Sequence, residues 1–260
     1  MYSLIAADNS APVSLTYYLL HPPDDYGLST QCKEVLSETL YGRLLVSSLK
    51  LRTQVLRDSG VYNRTQKELC VDELDDHAFH LLCVNGGNSC VGAIRFIEHE
   101  RLQQVGLQSG VEKLARWAAL KIPAYRAVVE MVERSREAKK RLGEVGMLVV
   151  RTDLQKVSSI ALRLTMLSLQ YERQQGLDLG LCSAGAIYGA SLYRRLGCAD
   201  VVDAEGRPLD PLDHPELADR VTFQYLELKA QPEERIRRLQ ERYGNVARGL
   251  RYLNGPLHAA

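Results

Sequence analysis

The chain of 260 residues has no apolar run approaching the ~20 residues that span a bilayer, so no integral membrane segment is expected. Its first twenty residues carry no Lys or Arg and no uninterrupted apolar stretch, so they do not read as a secretory signal. It also lacks net charge. Lys and Arg total 33 against 32 Asp and Glu, a formal +1, so no global field holds a nucleic acid or an anionic membrane. The six cysteines (32, 70, 83, 90, 182 and 198) form no C-x-x-C pair and have no His at zinc spacing. A disulfide scaffold and a metal site are therefore not expected. Reduced thiols in a cytoplasmic protein are the plain reading. No P-loop, Rossmann fingerprint, G-x-S-x-G elbow or H-E-x-x-H occurs.

What remains is ordinary globular chemistry, 45% hydrophobic and 25% charged. A chain this long buries roughly 70–75% of its unfolded surface, enough for a real core. Residues 1–30 mix Pro, Gly, Asp and Ser and read as an irregular arm with one short strand near 14–20. Apolar residues at helical spacing over 32–57 predict one or two amphipathic helices, closed by Ser59-Gly60. Residues 80–84 and 90–97 flank Asn85-Gly86-Gly87-Asn88, whose tolerance of positive φ predicts a β-hairpin. Helices follow over 109–120 and 124–141, broken at Ile122-Pro123. A buried strand is expected at 144–150, a helix from Ser158-Ser159 to Gly176, a strand at 178–182 and a helix at 187–196. A Pro- and Asp-rich excursion covers 200–215, a half-exposed strand 221–228, and a charged helix 232–253. A hairpin beside β-α-β crossovers implies an α+β sandwich with a mixed central sheet flanked by helices. The body spans 31–230, with a helical extension over 231–260.

Three places carry candidate chemistry. Asp72-Glu73-Leu74-Asp75-Asp76-His77 is either a solvated acidic turn, a carboxylate cluster anchoring an ammonium or an Arg, or a poor hard-cation loop. Arg95 lies in an apolar strand and, by alternation, points to solvent unless it is paired. Glu144 opens an apolar strand and serves as a charged strand end, a helix cap or a general base. His99 and His214 read as surface histidines, and Trp117 as a core residue.

The order of elements resembles the Gcn5-related N-acetyltransferase (GNAT) superfamily. An ordered set of five segments between roughly 45 and 230 carries the resemblance, three of them resembling its long-chain branch, the N-acyl amino acid synthases and acyl-homoserine-lactone synthases. Leu51-Arg52-Thr53-Gln54-Val55 is similar to that branch's LR-x-x-V. Residues 72–82 resemble D-E-Y-D-x-x-x-x-H-L-L, and Val91-Gly92-Ala93-Ile94-Arg95 matches V-G-x-x-R. Glu144–Val150 stands where the branch has E-x-S-R-x-x-V, without the S-R. Leu192-Tyr193-Arg194-Arg195-Leu196-Gly197-Cys198 resembles the superfamily's L-Y-x-x-x-G-F.

The resemblance implies transfer of a fatty acyl group from a thioester to the amine of an amino acid or similar small molecule. Glu144 would be the base and Tyr193 the acid for the leaving thiolate, although Tyr193 reads equally as a packed aromatic. Backbone N–H groups of Leu148, Val149 and Val150 would meet the oxyanion. Arg52, Asp72, Asp75 and Arg95 would form a charge network around the amine pocket. The pyrophosphate loop would fall on Gln155, Lys156, Ser158 and Ser159, with Ser158 and Ile160 at its two small positions. Ile160 is expected to crowd that loop. Such a loop suits the single phosphate of an acyl carrier protein's 4'-phosphopantetheine better than coenzyme A. No permanently bound cofactor is expected. Lys139-Lys140-Arg141 and Arg194-Arg195 are candidate landing sites for an acidic carrier protein. The helices over 112–120 and 128–132 would wall an acyl tunnel. The alternatives are an acetyl- or acyl-coenzyme-A-dependent N-acetyltransferase and a degenerate binding protein of the same fold.

Overall fold

The computed structural model describes residues 15–23, 38–61, 69–155, 159–186, 189–230, 237–238 and 250–253. Nine strands make one mixed sheet: β1 (Thr16–Leu20), β2 (Phe79–Val84), β3 (Cys90–Glu98), β4 (Leu142–Val150), β5 (Leu179–Gly185), β6 (Ala199–Asp200), β7 (Leu212–Asp213), β8 (Arg220–Glu227) and β9 (Leu250–Leu253). The order is β6-β8-β5-β4-β3-β2-β1-β9, with β7 also beside β8. Only β4–β5 and β1–β9 run parallel. The predicted hairpin is present, and Asn88 takes a φ of 58° at its turn.

Six helices among the described residues cover the sheet: α1 (Leu40–Asp58), α2 (His99–Gln104), α3 (Gly110–Ala119), α4 (Arg126–Glu137), α5 (Ile160–Gln174) and α6 (Gly189–Leu196). Local chemistry sets their ends. Thr39 caps α1 by accepting from the Gly42 amide, and Gly60 closes it at a φ of +69°. Ser109 and Glu112 form a reciprocal capping box on α3.

On one face, α5 and α6 pack over a core that includes Phe79, Phe96 and Tyr171, the two Phe rings stacked at 4.7 Å. On the other face, α1 covers β3 and its neighbours β4 and β2, while α3 and α4 cover β5 and β8. Gly92 is glycine because α5 rests on it; an added Cβ would stand 2.5 Å from Ile160 Cγ2. Ile160 is itself buried in that core, its side chain against the sheet at Gly92, while residues 156–158 of the loop it was expected to crowd lie outside the described residues.

Four further expectations are corrected. Arg95 is buried, because helices cover both faces of β3 and alternation carries no inside–outside signal there. His99, the first residue of α2, is buried against the α3–α4 pair, its Nδ1 3.5 Å from Glu112. β8 is mostly buried instead of half-exposed. The charged C-terminal stretch ends as β9, not as helix, parallel to β1 and with Arg251 above the Tyr18 ring. Residues 237–238 are helical, while the remainder of 231–249 lies outside the described residues. Trp117 is only part-buried, with Lys121 Nζ 4.1 Å from its ring centroid. His214 is half-buried, accepting the Glu216 and Leu217 amides at Nδ1.

Candidate active site

β4 contains the decisive irregularity. Its pairing with β3 jumps between Ala93↔Val149 and Arg95↔Gly146, so Ile94 faces both Met147 and Leu148. Met147 takes a φ of 53°, a left-handed conformation unusual for a long side chain. A bulge bends the strand that carries the extra residue. Accordingly β4 leaves β5: their pairing ends at Val145↔Cys182, although β4 runs on to Val150 and β5 to Gly185. Gly146, Met147 and Leu148 are the only residues of β4 that reach solvent. A wedge therefore opens through the sheet, and on β4 its edge is the backbone around Leu148, Val149 and Val150.

Glu144 stands at the root of this wedge, on the face covered by α3. Its Oε2 accepts the Val111 amide at 2.8 Å, and the Ser109 hydroxyl beside the same carboxylate favours its charged form. Burial raises its proton affinity, and those donors, with Arg95, pull partly the other way. Tyr193 lies on the opposite face, in the core under α5 and α6. Burial first, then the thiols of Cys182 and Cys198, push its hydroxyl well above the usual phenol range, so it stays protonated at neutral pH.

Beside Glu144, on its face, the structure joins all four residues of the expected charge network. Asp75 receives Arg52 through both carboxylate oxygens, at 3.0 and 2.6 Å. Arg95 Nη1 reaches Asp75 at 2.9 Å and Asp72 at 2.6 Å. Asp72 and Asp75 also cap the 3₁₀ turn Glu73–His77 reciprocally, so the acidic run is a fold device as well as a charge cluster. Burial alone would raise the Asp75 carboxyl, yet the two guanidinium groups reverse this and hold it well below the usual carboxylate range. His80, bonded to the Asp75 carbonyl, is pushed down to about 4 by burial and is neutral. The void among Ser48, Arg52, His80, Arg95 and Met147 is about 10 Å³, room for roughly one water. Of the four charged residues only Asp72 reaches solvent, its side chain 41% exposed.

The remaining candidates are less concentrated. Gln155 is exposed at the end of β4, its side-chain amide donating to the Val150 carbonyl at 2.8 Å. Ser159 precedes α5 without a side-chain cap, while Lys156 and Ser158 lie outside the described residues. Both basic runs are substantially paired: Lys140 with Glu227, Arg141 with Glu98 and Glu100, Arg194 with Asp200. A cavity of about 250 Å³ lies on the Glu144 face, lined by Ala127 and Met131 of α4, Leu179, Val201 and Tyr225 among others. Among the described residues no group of three His, Cys, Asp or Glu is placed to hold a metal ion.

Sequence reasoning did not single out Ser109, Gly110 or the Glu112–Arg136–His99 cluster next to them. The spacing Ser109-x-x-Glu112 is a capping-box signal, but nothing local says that Glu144, 33 residues away, leans on that helix start.

No protein-family model matches the chain, and no curated protein does either. Solved structures do. FeeM, an N-acyl amino acid synthase from uncultured soil microbes, matches at 13% identity and a TM-score of 0.52, over 84% of this chain and 93% of that one. BjaI, a CoA-dependent acyl-homoserine lactone synthase solved with SAM and isopentyl-CoA, matches at 12% and 0.56, over 94% and 96%. At such identities the likeness is one of fold, and the fold is the GNAT-like acyltransferase fold.

Proposed function

We propose that this protein is an N-acyltransferase that moves a fatty acyl group from a pantetheine thioester to the amine of an amino acid or a similar small molecule. The observation that carries the reading is the wedge between β4 and β5, with Glu144 on one face of the sheet and Tyr193 on the other. A pantetheine arm threaded through it would bring its thioester between a proton acceptor and a proton donor. The fold shared with FeeM and BjaI supports the same class of reaction.

The amine attacks the thioester carbonyl and its proton passes to Glu144, directly or through a water. The oxyanion is met by backbone N–H groups of Leu148–Val150, and the C–S bond breaks as Tyr193 protonates the departing sulfur. Solvent then restores both side chains. Asp72, the network member open to water, offers the substrate ammonium a carboxylate, while Arg52, Asp75 and Arg95 fix its position. The apolar wall of the α4 cavity receives the chain. Gln155, Lys156, Ser158 and Ser159 are the proposed contacts of the donor's phosphate, and an acyl carrier protein is the preferred donor. Coenzyme A is the second reading, favoured by the fold shared with a CoA-dependent synthase. The five described cysteines are free thiols, in keeping with a cytoplasmic site of action.

The test is incubation of the purified protein with palmitoyl-acyl carrier protein or palmitoyl-coenzyme A and a mixture of amino acids, with mass spectrometry of the products. An N-acyl amino acid, lost in Glu144→Gln by a factor of about 10²–10⁴, supports the reading. Acetyl transfer alone, or transfer unchanged in both Glu144→Gln and Tyr193→Phe, overturns it.

A further inference from the structure

Glu144 is the most deeply committed carboxylate of the wedge, and its partners come from a helix that the reaction itself does not need. Ser109 precedes the first turn of α3, and its hydroxyl serves two partners. The oxygen accepts the Glu112 amide at 3.3 Å, and the hydroxyl stands beside the Glu144 carboxylate, where it favours the ionised form. Glu144 Oε2 takes the next free amide of the helix, that of Val111. Between them stands Gly110, whose φ is not left-handed, so its backbone does not require glycine. Space favours it: a Cβ there would lie 2.8 Å from Glu144 Oε1, so the carboxylate would have to shift. Behind the helix start, Glu112 is anchored by Arg136 of α4 through two bonds of 2.7 Å. Ser109, Gly110 and Val111 thus form a braced cradle.

Resting on the reading of Glu144 as the proton acceptor, we propose that Ser109 and Gly110 are positioning residues that hold the Glu144 carboxylate at the wedge and keep it ionisable. A carboxyl buried this completely would otherwise remain protonated and accept nothing. Two donors aimed at the charged form offset that burial, and the missing Cβ at position 110 lets the carboxylate come close enough to use them. The other charges facing Glu144 are Arg95 of β3, which favours its ionised form, and Asp72, which opposes it; Cys182 of β5 is also nearby. None of these is removed by changing the cradle.

The experiment is a carboxyl-carbon NMR titration of the full chain labelled at glutamate, with Glu144→Gln assigning the signal. Ser109→Gly removes the hydroxyl while retaining most of the helix-capping free energy, so it separates the cradle from simple helix stability. Its Glu144 midpoint is expected to move upward. Ser109→Thr, which keeps the hydroxyl, is expected to titrate like the unaltered protein. Gly110→Ala is expected to move the midpoint upward too, and to lower kcat by about a hundredfold with little change in KM. In the transfer assay, the acid limb of the pH–rate profile of Ser109→Gly shifts in the same direction as its NMR midpoint. Folded Ser109→Gly and Gly110→Ala proteins whose Glu144 titrates as in the unaltered chain would overturn the proposal. Full transfer by Glu144→Gln would instead remove the base role, while the NMR result would still decide the cradle.

Discussion

Two carboxyl groups, Asp75 and Glu172, are equally hidden from water, and their surroundings could hardly differ more. Asp75 sits under α1 between two guanidinium groups and stays ionised far below the ordinary range. Glu172, on α5 across the sheet, has one donor, the Ser168 hydroxyl at 3.1 Å, and its Oε2 has none. Burial pushes it from an ordinary 4.5 up to about 8. It lies against Gly143 and Gly180, register partners on β4 and β5; a Cβ at Gly180 would stand 3.1 Å from Oε2. Depth therefore decides nothing alone: the partners supplied decide whether a buried acid is an anchor or a liability.

The contrast breaks most visibly at Asp75. Asp75→Asn leaves two buried arginines facing a neutral group and is expected to cost roughly 3–5 kcal/mol, read from the shift of a denaturant midpoint. A loss below about 1 kcal/mol would mean the seam is solvated. Gly180→Ala comes next. The carboxyl of Glu172 must give way, and an overpacked site of this kind costs about 1–3 kcal/mol in the same assay.

The pH dependence sharpens the contrast further. Glu172 is protonated in the folded chain and ionised in the unfolded one between 4.5 and about 8, so its contribution falls as pH rises through that window. From pH 6.5 to 8 the unaltered protein should lose on the order of 1–2 kcal/mol on this account, and Glu172→Gln should not. Below 6.5 the sign is mixed, because His80 and His99, both pushed down to about 4, resist protonation in the folded chain and lower stability as pH falls. Asp75 adds no pH dependence between 6.5 and 8; its stabilisation is lost only as pH falls through and below the ordinary carboxylate range. The smallest effect belongs to the exposed pair Lys113–Glu73, where Lys113→Ala should cost about 0–1 kcal/mol and less in high salt.

The same contrast marks what could be read from residues alone. The hairpin was legible because Asn85-Gly86-Gly87-Asn88 carries its own turn chemistry. The Arg52–Asp72–Asp75–Arg95 network was legible only through the resemblance of its motifs. Alternation sent Arg95 to solvent, since a strand covered on both faces has no exposed side for the pattern to report. His99 was misread for another reason, since the Glu112 and Arg136 that enclose it lie on two other helices. Glu172 carries no local sign of its burial, because the glycines that accommodate it lie on two other elements. Leu250–Leu253 was read as helix since four residues at the end of a charged run show no period of their own; pairing with β1 makes them strand.

The central claim is that a pantetheine arm crosses the sheet between β4 and β5. Methyl NMR of Leu and Val during titration with a non-cleavable S-acyl phosphopantetheine thioether tests it most directly. Shifts at Leu148 on one face together with Leu181 on the face of Glu144 are the expected result. Shifts confined to one face, or none near Leu148 at saturation, would contradict it.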